Sequence, residues 1–538
     1  MRETMTRRRL LALAGGTAVA AGGASLLAAC GGSAASSGSD NGASKVTLPQ
    51  YIRSEAVKPD VAATDDGAMA VYYNYPRSLV SAVSGKPGEG AGDVNIFTNM
   101  FNPVPPGVGS NRYWQELNSR IGANLKVTMT PAGDYLNKLS TVIAGGDLPD
   151  SMLISASLAN RSDILVRLCA DLTEFVSGSA IKDYPSLANI PADAWASTIY
   201  GGTIRAIPIP RAVEGTIMFS RADLIRQRGL NPNPGSYQEF VDLAKGLTDA
   251  KSKRWAFGAV KGVIVFIGSM LGVPNSWREQ GGKFTSEFET PERKRAVGLA
   301  ADLAKQGLFH PDAMSNTLNV RDLFGNGTIA FDADGYAAWD LLANTYSVEV
   351  GGVPEPGFDG GQGVHRAGTT AFAITAFKKA DKARVQQLLR ICDWLATPLG
   401  TNEYMFRKYG IEGVHYTWQN GAPVLTKLGQ TEVQLPLEYV IDAPDIIGPG
   451  PRDRVDTQRA YQSKVIPKVL ANPTTGLYSE TAVNKAGEIQ KIIDSAELDI
   501  VSGRKPLDSW DDAVAQWRQA GGDQVRAEYE KALANRPR

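Results

Sequence analysis

The sequence predicts an α/β protein of more than one domain, and three observations carry that reading. Strand-like and helix-like runs alternate from about Asp93 onward, an export-type segment occupies the start, and the remaining chain is too long for a single hydrophobic core. Residues 1–29 read as a signal, and removing 29 of 538 leaves 509, against roughly 100–200 residues for a typical domain.

Asp93-Val94-Asn95-Ile96-Phe97-Thr98 is a short β-type run, and Ser110 can cap a helix that places Trp114, Leu117 and Ile121 on one face and stops at Gly122. Leu125 to Met129 alternates like a second strand. Tyr135, Leu136, Leu139, Val142 and Ile143 mark a second amphipathic helix closed by Gly145-Gly146, and Ser151 to Ser155 is a third strand. Strands spaced by helices in this way pair in parallel through right-handed crossovers, with helices on both faces of the sheet.

A second unit begins after Ile204-Arg205-Ala206-Ile207-Pro208-Ile209-Pro210. Ser236-Tyr237-Gln238-Glu239 is a capping box ahead of Phe240, Leu243, Ala244 and Leu247, and Thr290-Pro291 opens another helix that ends near Gly307. Gly262 to Val273 is apolar but too short to span a bilayer, so it reads as a buried helix or strand. Gly325-Asn326-Gly327 turns into the strand Thr328 to Phe331, with Asp332, Asp334, Tyr336 and Trp339 beyond it. Val353-Pro354-Glu355-Pro356-Gly357 is a stiff connection between domains. Thr369 to Phe377 is strand-like, and the helix Asp381 to Ala396 fits a return to the first sheet. The final third is helical, ending with Trp510, Val514 and Trp517.

At the start, Thr6-Arg7-Arg8-Arg9-Leu10-Leu11 leads through a Gly/Ala-rich apolar stretch to Leu27-Ala28-Ala29-Cys30. The paired arginines are similar to a twin-arginine (Tat) export signal, although the general export route stays open. The second motif is similar to a lipobox, in which the cysteine is acylated, with palmitate as the lipid, and becomes the first mature residue. A membrane-spanning anchor fits poorly, because Ala and Gly dominate and the run breaks at a small-residue cleavage site. Gly31 to Ser44 reads as a tether, too poor in apolar residues to offset the entropy of ordering.

Lys plus Arg and Asp plus Glu number 56 each, which gives no reason to expect nucleic acid as a partner. His310, His365 and His415 are far apart in sequence, so no metal site is expected, and no motif asks for a cofactor. Cys392 falls in the helical register of Val385, Leu388, Leu389 and Leu395, which favours a core thiol over a disulfide with Cys169.

Several pieces in this order resemble the extracellular solute-binding lipoproteins of carbohydrate ABC importers, of the branch related to alginate- and maltose-binding proteins. They are Gly146-Asp147-Leu148-Pro149-Asp150, Gly201 to Pro208, Phe219 to Leu224, Leu323 to Phe331, Tyr409 to Tyr416 and Gly503 to Leu507. The resemblance covers roughly residues 90–535. It implies a two-lobed periplasmic-binding-protein type II fold, each lobe a mainly parallel sheet with helices on both faces and the ligand in the cleft between them. The division expected is 1–29 signal peptide, 30–90 lipidated Cys30 and flexible tether, 91–210 with 354–420 the first lobe, and 211–353 with 421–538 the second lobe and C-terminal helices. The function implied is capture of a carbohydrate, expected to be an oligosaccharide, by a monomer lipid-anchored on the extracellular face of the cell membrane, and its delivery to ABC permease subunits. Alginate-binding relatives carry an acidic calcium-binding loop, whereas Asn231 to Ser236 here offers no carboxylates, which argues against calcium and against alginate itself.

A sugar cleft needs aromatic faces for the C–H surfaces of pyranose rings and polar side chains for the hydroxyls. Asn99, Phe101 and Ser155 lie just past strands, where ligands of open α/β sheets bind. Arg211 stands after the proline-rich crossover, with a structural ion pair as its other reading. Trp339 is the favoured stacking ring, with Asp334 nearby and Trp277 a weaker platform; Glu412 and Tyr416 are cleft residues by resemblance. A secreted glycoside hydrolase is the rival reading, since two carboxylates about 5–10 Å apart are all it requires. A peptide or organic anion is the alternative ligand class.

Overall fold

The computed structural model describes residues 46–53, 56–315 and 318–535, all within one continuous unit. The signal segment and Cys30 lie outside the described residues. The two larger sheets are built from β1 (Asp93–Met100), β2 (Asn124–Pro131), β3 (Ser151–Ile154), β4 (Ile207–Pro210), β5 (Thr216–Arg221), β6 (Trp255–Phe257), β7 (Ile329–Gly335), β8 (Val350–Val353) and β9 (Ala371–Phe377).

The first sheet has the order β2-β1-β3-β9-β4 and the second β8-β5-β7-β6. β1 is parallel to β2 and β3, while β9 runs antiparallel to β3 and β4. In the second sheet β7 is parallel to β6, and β5 is antiparallel to β7 and β8. The two-lobed α/β fold is therefore present with mixed sheets. The strands that run against their sheets, β9 and β5, each follow a point where the chain changes lobe, so each enters its sheet from the hinge side rather than through a βαβ crossover.

Helices cover both faces of the first sheet, so its strands send side chains to two cores. Val94 and Ile96 join Trp114, Leu117 and Leu388 on one side, and Phe97 joins Tyr135, Leu139 and Ile154 on the other. Asn111, not Ser110, caps the Arg112–Ile121 helix, accepting from the Trp114 amide at 2.9 Å, because Ser110 is still in a tight turn. Ser236, Thr290 and Asp381 cap the helices that begin just after them. The apolar run after Gly262 is a buried helix, Val260–Met270. Cys392 and Cys169 are buried free thiols in different core clusters.

Three expected boundaries move. Residues 46–90 are not a loose tether. Leu48 and Ile52 pack on the first core, and the Gln50 and Ile52 amides donate to Gly178 and Ala188 carbonyls. Met69 and Val71 then bury in the second lobe, where the Tyr72 amide donates to Ile447 O at 2.9 Å, before Val80 returns to the first lobe and pairs with Gly400 and Asn402. Enough apolar side chains punctuate this strap to fix it. Leu435, Leu437, Val440 and Ile441 bury in the first core, so the chain re-enters the second lobe only after them. Residues 354–369 also stay with the second lobe, where His365-Arg366 pairs with Val469-Leu470. Beyond the strap, which passes to the second lobe and back, the chain crosses between lobes around 211–215, 367–370 and 442–451.

The crossings are welded by close contact. The Arg211 amide donates to Thr370 O, the Gly368 amide to Val213 O at 2.8 Å, and the Ala212 amide to Asp445 Oδ2 at 2.9 Å. Gly215 and Gly368 pack backbone on backbone; a Cβ on Gly215 would lie 2.4 Å from the Gly368 Cα. Beneath them His365 bridges Glu355 (2.9 Å) and the Glu214 carbonyl (2.8 Å), and Gln462 donates to Glu214 at 2.6 Å. Every member of that set is buried.

Candidate ligand cleft

The strand directions bring particular ends together. β1 and β3 finish at the edge where β9 begins and β4 ends: Ile374 faces Ile154, and Ala371 faces Pro210. Asn99, Phe101, Ser155, Arg211 and the unforeseen Phe372 therefore share one rim of the first sheet. Tyr439 joins them from the 435–441 segment, whose backbone is pinned by the hydroxyls of Thr98 on Tyr439 O (2.9 Å) and Thr375 on Val440 O.

Phe101, Phe372 and Tyr439 form a cluster, with ring centroids 5.1 Å (Phe101–Tyr439), 5.4 Å (Phe372–Tyr439) and 6.4 Å (Phe101–Phe372) apart. Phe101 is 54% and Phe372 36% exposed, so apolar faces remain open to solvent beside polar groups. The Arg211 guanidinium stacks 4.7 Å from the Phe372 centroid and donates to the Pro210 carbonyl at 3.1 Å. Asn99 is 7% exposed and its Oδ1 has no hydrogen-bond partner. Ser155 is half-buried, its hydroxyl closing a turn by accepting from the Ser157 amide at 3.2 Å.

From the second lobe, the end of β7 presents Asp332 and Asp334. Asp334 accepts from Arg321 Nε at 2.6 Å and from the Gly335 amide at 2.7 Å. Asp332 is 6% exposed, lines a cavity of about 370 Å³ with Arg321, Asn319, Phe257 and Phe331, and its Oδ2 has no partner. Burial first, and then the charge of Asp334, push its carboxyl up to about 7, with Arg321 opposing. Burial first, and then the charge of Glu438, lift the Tyr439 phenol to about 12, while Arg211 of the first lobe and Arg321 of the second both pull it down. A second cavity, of about 540 Å³, opens beside Arg211 and Phe372 over the crossings, lined from the second lobe by Lys261, Glu287 and Tyr336. This arrangement can stack flat apolar rings and bond hydroxyls from two sides, and it excludes bulk water when the lobes approach.

The remaining expected site residues lie elsewhere. Trp339 is 1% exposed in the second core, 5.5 Å from Phe219 and 5.7 Å from Tyr461, because its helix turns that face inward onto the sheet. Trp277 is 8% exposed and packs on Phe284, Trp517 and Tyr529 under the C-terminal helices. Both are core tryptophans rather than platforms. Tyr416 is buried, in contact with Tyr409 and Trp418, and reaches the exposed Glu412 at 3.5 Å. That group packs against Tyr75 and Arg77 of the strap, not with Phe101 and Phe372.

Sequence reasoning missed Phe372, Tyr439 and Arg321. Phe372 could have been found, since it stands at the start of a strand antiparallel to one whose end was already a candidate. Tyr439 lies in an irregular segment after Pro436 with no periodic signal. Among the described residues no group of three or more His, Cys, Asp or Glu is arranged to hold a metal ion. Nor is any helix there long and apolar enough to cross a membrane.

Comparison with known proteins fits this geometry. A polygalacturonan/rhamnogalacturonan-binding protein, YtcQ of Bacillus subtilis, is 25% identical over 457 residues, covering 81% of this chain and 90% of that relative. The lipoprotein LipO of the same organism is 21% identical over 472 residues, covering 81% and 91%. Among solved structures, the N-glycan transport solute-binding protein NgtS of Streptococcus pneumoniae superposes with a TM-score of 0.62 at 14% identity, covering 83% of this chain and all of that one, which establishes the shared fold. The family model for bacterial extracellular solute-binding proteins matches residues 113–411, more than half of the chain. This chain belongs to the family of bacterial extracellular solute-binding proteins.

Proposed function

We propose that this protein captures an oligosaccharide in the cleft between its lobes and delivers it, chemically unchanged, to the permease of an ABC importer. The observation that carries the reading is the cluster of Phe101, Phe372 and Tyr439, with two half-open phenyl faces beside Arg211. Open aromatic faces ringed by hydrogen-bonding groups suit the alternating C–H and hydroxyl surfaces of a sugar chain. The name of the B. subtilis relative, a polygalacturonan/rhamnogalacturonan-binding protein, points the same way. Closure favours binding only when the ligand touches both lobes, and the permease then reads the closed form.

Catalysis is not part of this reading. Asp334 is committed to Arg321, and Glu412 lies on the far hairpin beside Tyr416, away from Asp332 and Asp334. Export, acylation of Cys30 and a monomeric, surface-anchored state complete the proposal; they rest on the Leu27-Ala28-Ala29-Cys30 motif and on the likeness to a lipoprotein.

Isothermal calorimetry of the mature protein against neutral and galacturonate oligosaccharides, with reducing ends measured alongside, tests the function. Saturable heat with a constant number of reducing ends is expected. Turnover would put a hydrolase in its place, and stabilisation in thermal melts by peptides or organic anions alone would change the ligand class.

A further inference from the structure

Asp332 is a carboxyl with nothing to bond. It ends the buried part of β7, is almost wholly withdrawn from solvent, and lines the cavity of about 370 Å³ with one oxygen unpartnered. An unbonded buried polar group costs about 1–3 kcal/mol, so a fold keeps one where something else supplies the bond. The neighbouring polar groups do not: Arg321 bonds Asp334 through Nε, and both ends of the Asn319 amide are taken by Asp322. The lining is mixed, with the buried Phe257 and Phe331 beside Asn319, Arg321 and Asp334, and the volume falls within the range of small-molecule sites. Arg321, whose side chain is 41% exposed, borders this cavity, so its rim is open to solvent.

We propose, resting on the capture reading above, that this cavity is a separate subsite of the second lobe that takes one terminal, uncharged sugar ring, with a ring hydroxyl donating to Asp332, and that rejects a ring carrying a carboxylate. The charge count supports the selectivity. One guanidinium faces two carboxyl groups in the lining, and that guanidinium is already neutralised by Asp334, so a uronate entering here meets an unpaired acid in a poorly solvated space. An uncharged ring instead brings the missing donor without adding a second negative charge. The aromatic cluster, flanked by Arg211, imposes no such restriction. The oligosaccharide would therefore be read at its end by Asp332 and along its length by Phe101, Phe372 and Tyr439.

The test uses two trisaccharides that differ only in a terminal galactose or galacturonate, titrated calorimetrically into the mature protein at pH 8. Wild type is expected to prefer the neutral-ended ligand by about tenfold or more. Asp332→Asn keeps a hydrogen-bonding oxygen and removes the charge. It should lose less than about fivefold for the neutral ligand while the preference falls to within about twofold; Asp332→Ala should lose about tenfold for the neutral ligand. A melt of each variant checks that it is folded. If wild type binds both ligands and Asp332→Asn leaves the preference unchanged, the subsite is wrong while capture stands. If wild type binds no carbohydrate of the neutral and galacturonate panels, both fall.

Discussion

Replacing Phe101 by alanine tests the aromatic cluster most sharply, because the ring is 54% exposed and its removal should separate affinity from stability. A phenylalanine offers about 150–250 Å² of surface, so roughly 100 Å² of this one stands open. If a sugar ring covers one face, about half of that, at roughly 25 cal/mol per Å², the lost burial is a little over 1 kcal/mol, and the lost packing geometry adds about 0.5–1 kcal/mol. The expected cost is about 1.5–2 kcal/mol, a Kd weaker by about 10- to 30-fold. The buried remainder, against Phe372 and Tyr439, should cost less than about 1.5 kcal/mol of folding stability, well below a full core truncation. Calorimetry gives the first quantity and urea denaturation the second. An unchanged Kd together with a large loss of stability would refute the reasoning, since it would make Phe101 a structural ring.

Trp339→Ala should behave in the opposite way: with the indole 1% exposed among Phe219, Tyr336 and Tyr461, about 3–5 kcal/mol of stability should be lost in urea titrations, with Kd nearly constant for the protein that remains folded. Gly215→Ala places a methyl 2.4 Å from the Gly368 Cα at a φ of +56°, so it should destabilise by more than about 2 kcal/mol, measured by the denaturant midpoint, whereas Gly229→Ala, with a similar φ of +63° and nothing within 4 Å, should cost less. Asp332 gives a pH signature. Its folded carboxyl keeps the proton up to about pH 7, while the unfolded chain releases it near the ordinary value of 3.8, so in that window the native state binds the extra proton and stability from this group falls as pH rises. The Tm of Asp332→Asn minus that of wild type should accordingly climb between pH 4 and 7 and level off above; a difference independent of pH would contradict it.

Much of the fold was legible because its signals are local. Alternation in Val94, Ile96, Leu125 and Val127, helical registers around Trp114, Leu117, Leu388 and Cys392, and caps at Ser236, Thr290 and Asp381 each depend on a few neighbouring residues. The strap was not legible. Val61, Met69 and Val71 are too widely spaced to signal an element, and Met69 and Val71 are buried, with Val61 partly so, only because Ile447 and the second core lie in wait hundreds of residues later. At the candidate site, strand ends put forward Asn99, Phe101 and Ser155, and the proline-rich crossover put forward Arg211, since topology alone delivers strand ends to that rim. The tryptophans misled for a physical reason. A large ring just past a strand satisfies either a sugar or a core, and only the direction of the helix face, set by packing of Trp339 on Phe219 and Tyr461, decides between them.

Both lobes must grip one ligand if a permease is to read the closed form. Spin labels at Ser157 of the first lobe and Lys485 of the second sit at exposed positions near the point where the Asn160 amide meets Asn484, while Cys169 and Cys392 are buried away from labelling. Pulsed electron–electron distance measurement, in a form lacking Cys30, should give a broad distribution without ligand and a narrower, shorter one with a saturating oligosaccharide. An unchanged distribution in a sample that calorimetry certifies as saturated would contradict a two-lobed grip.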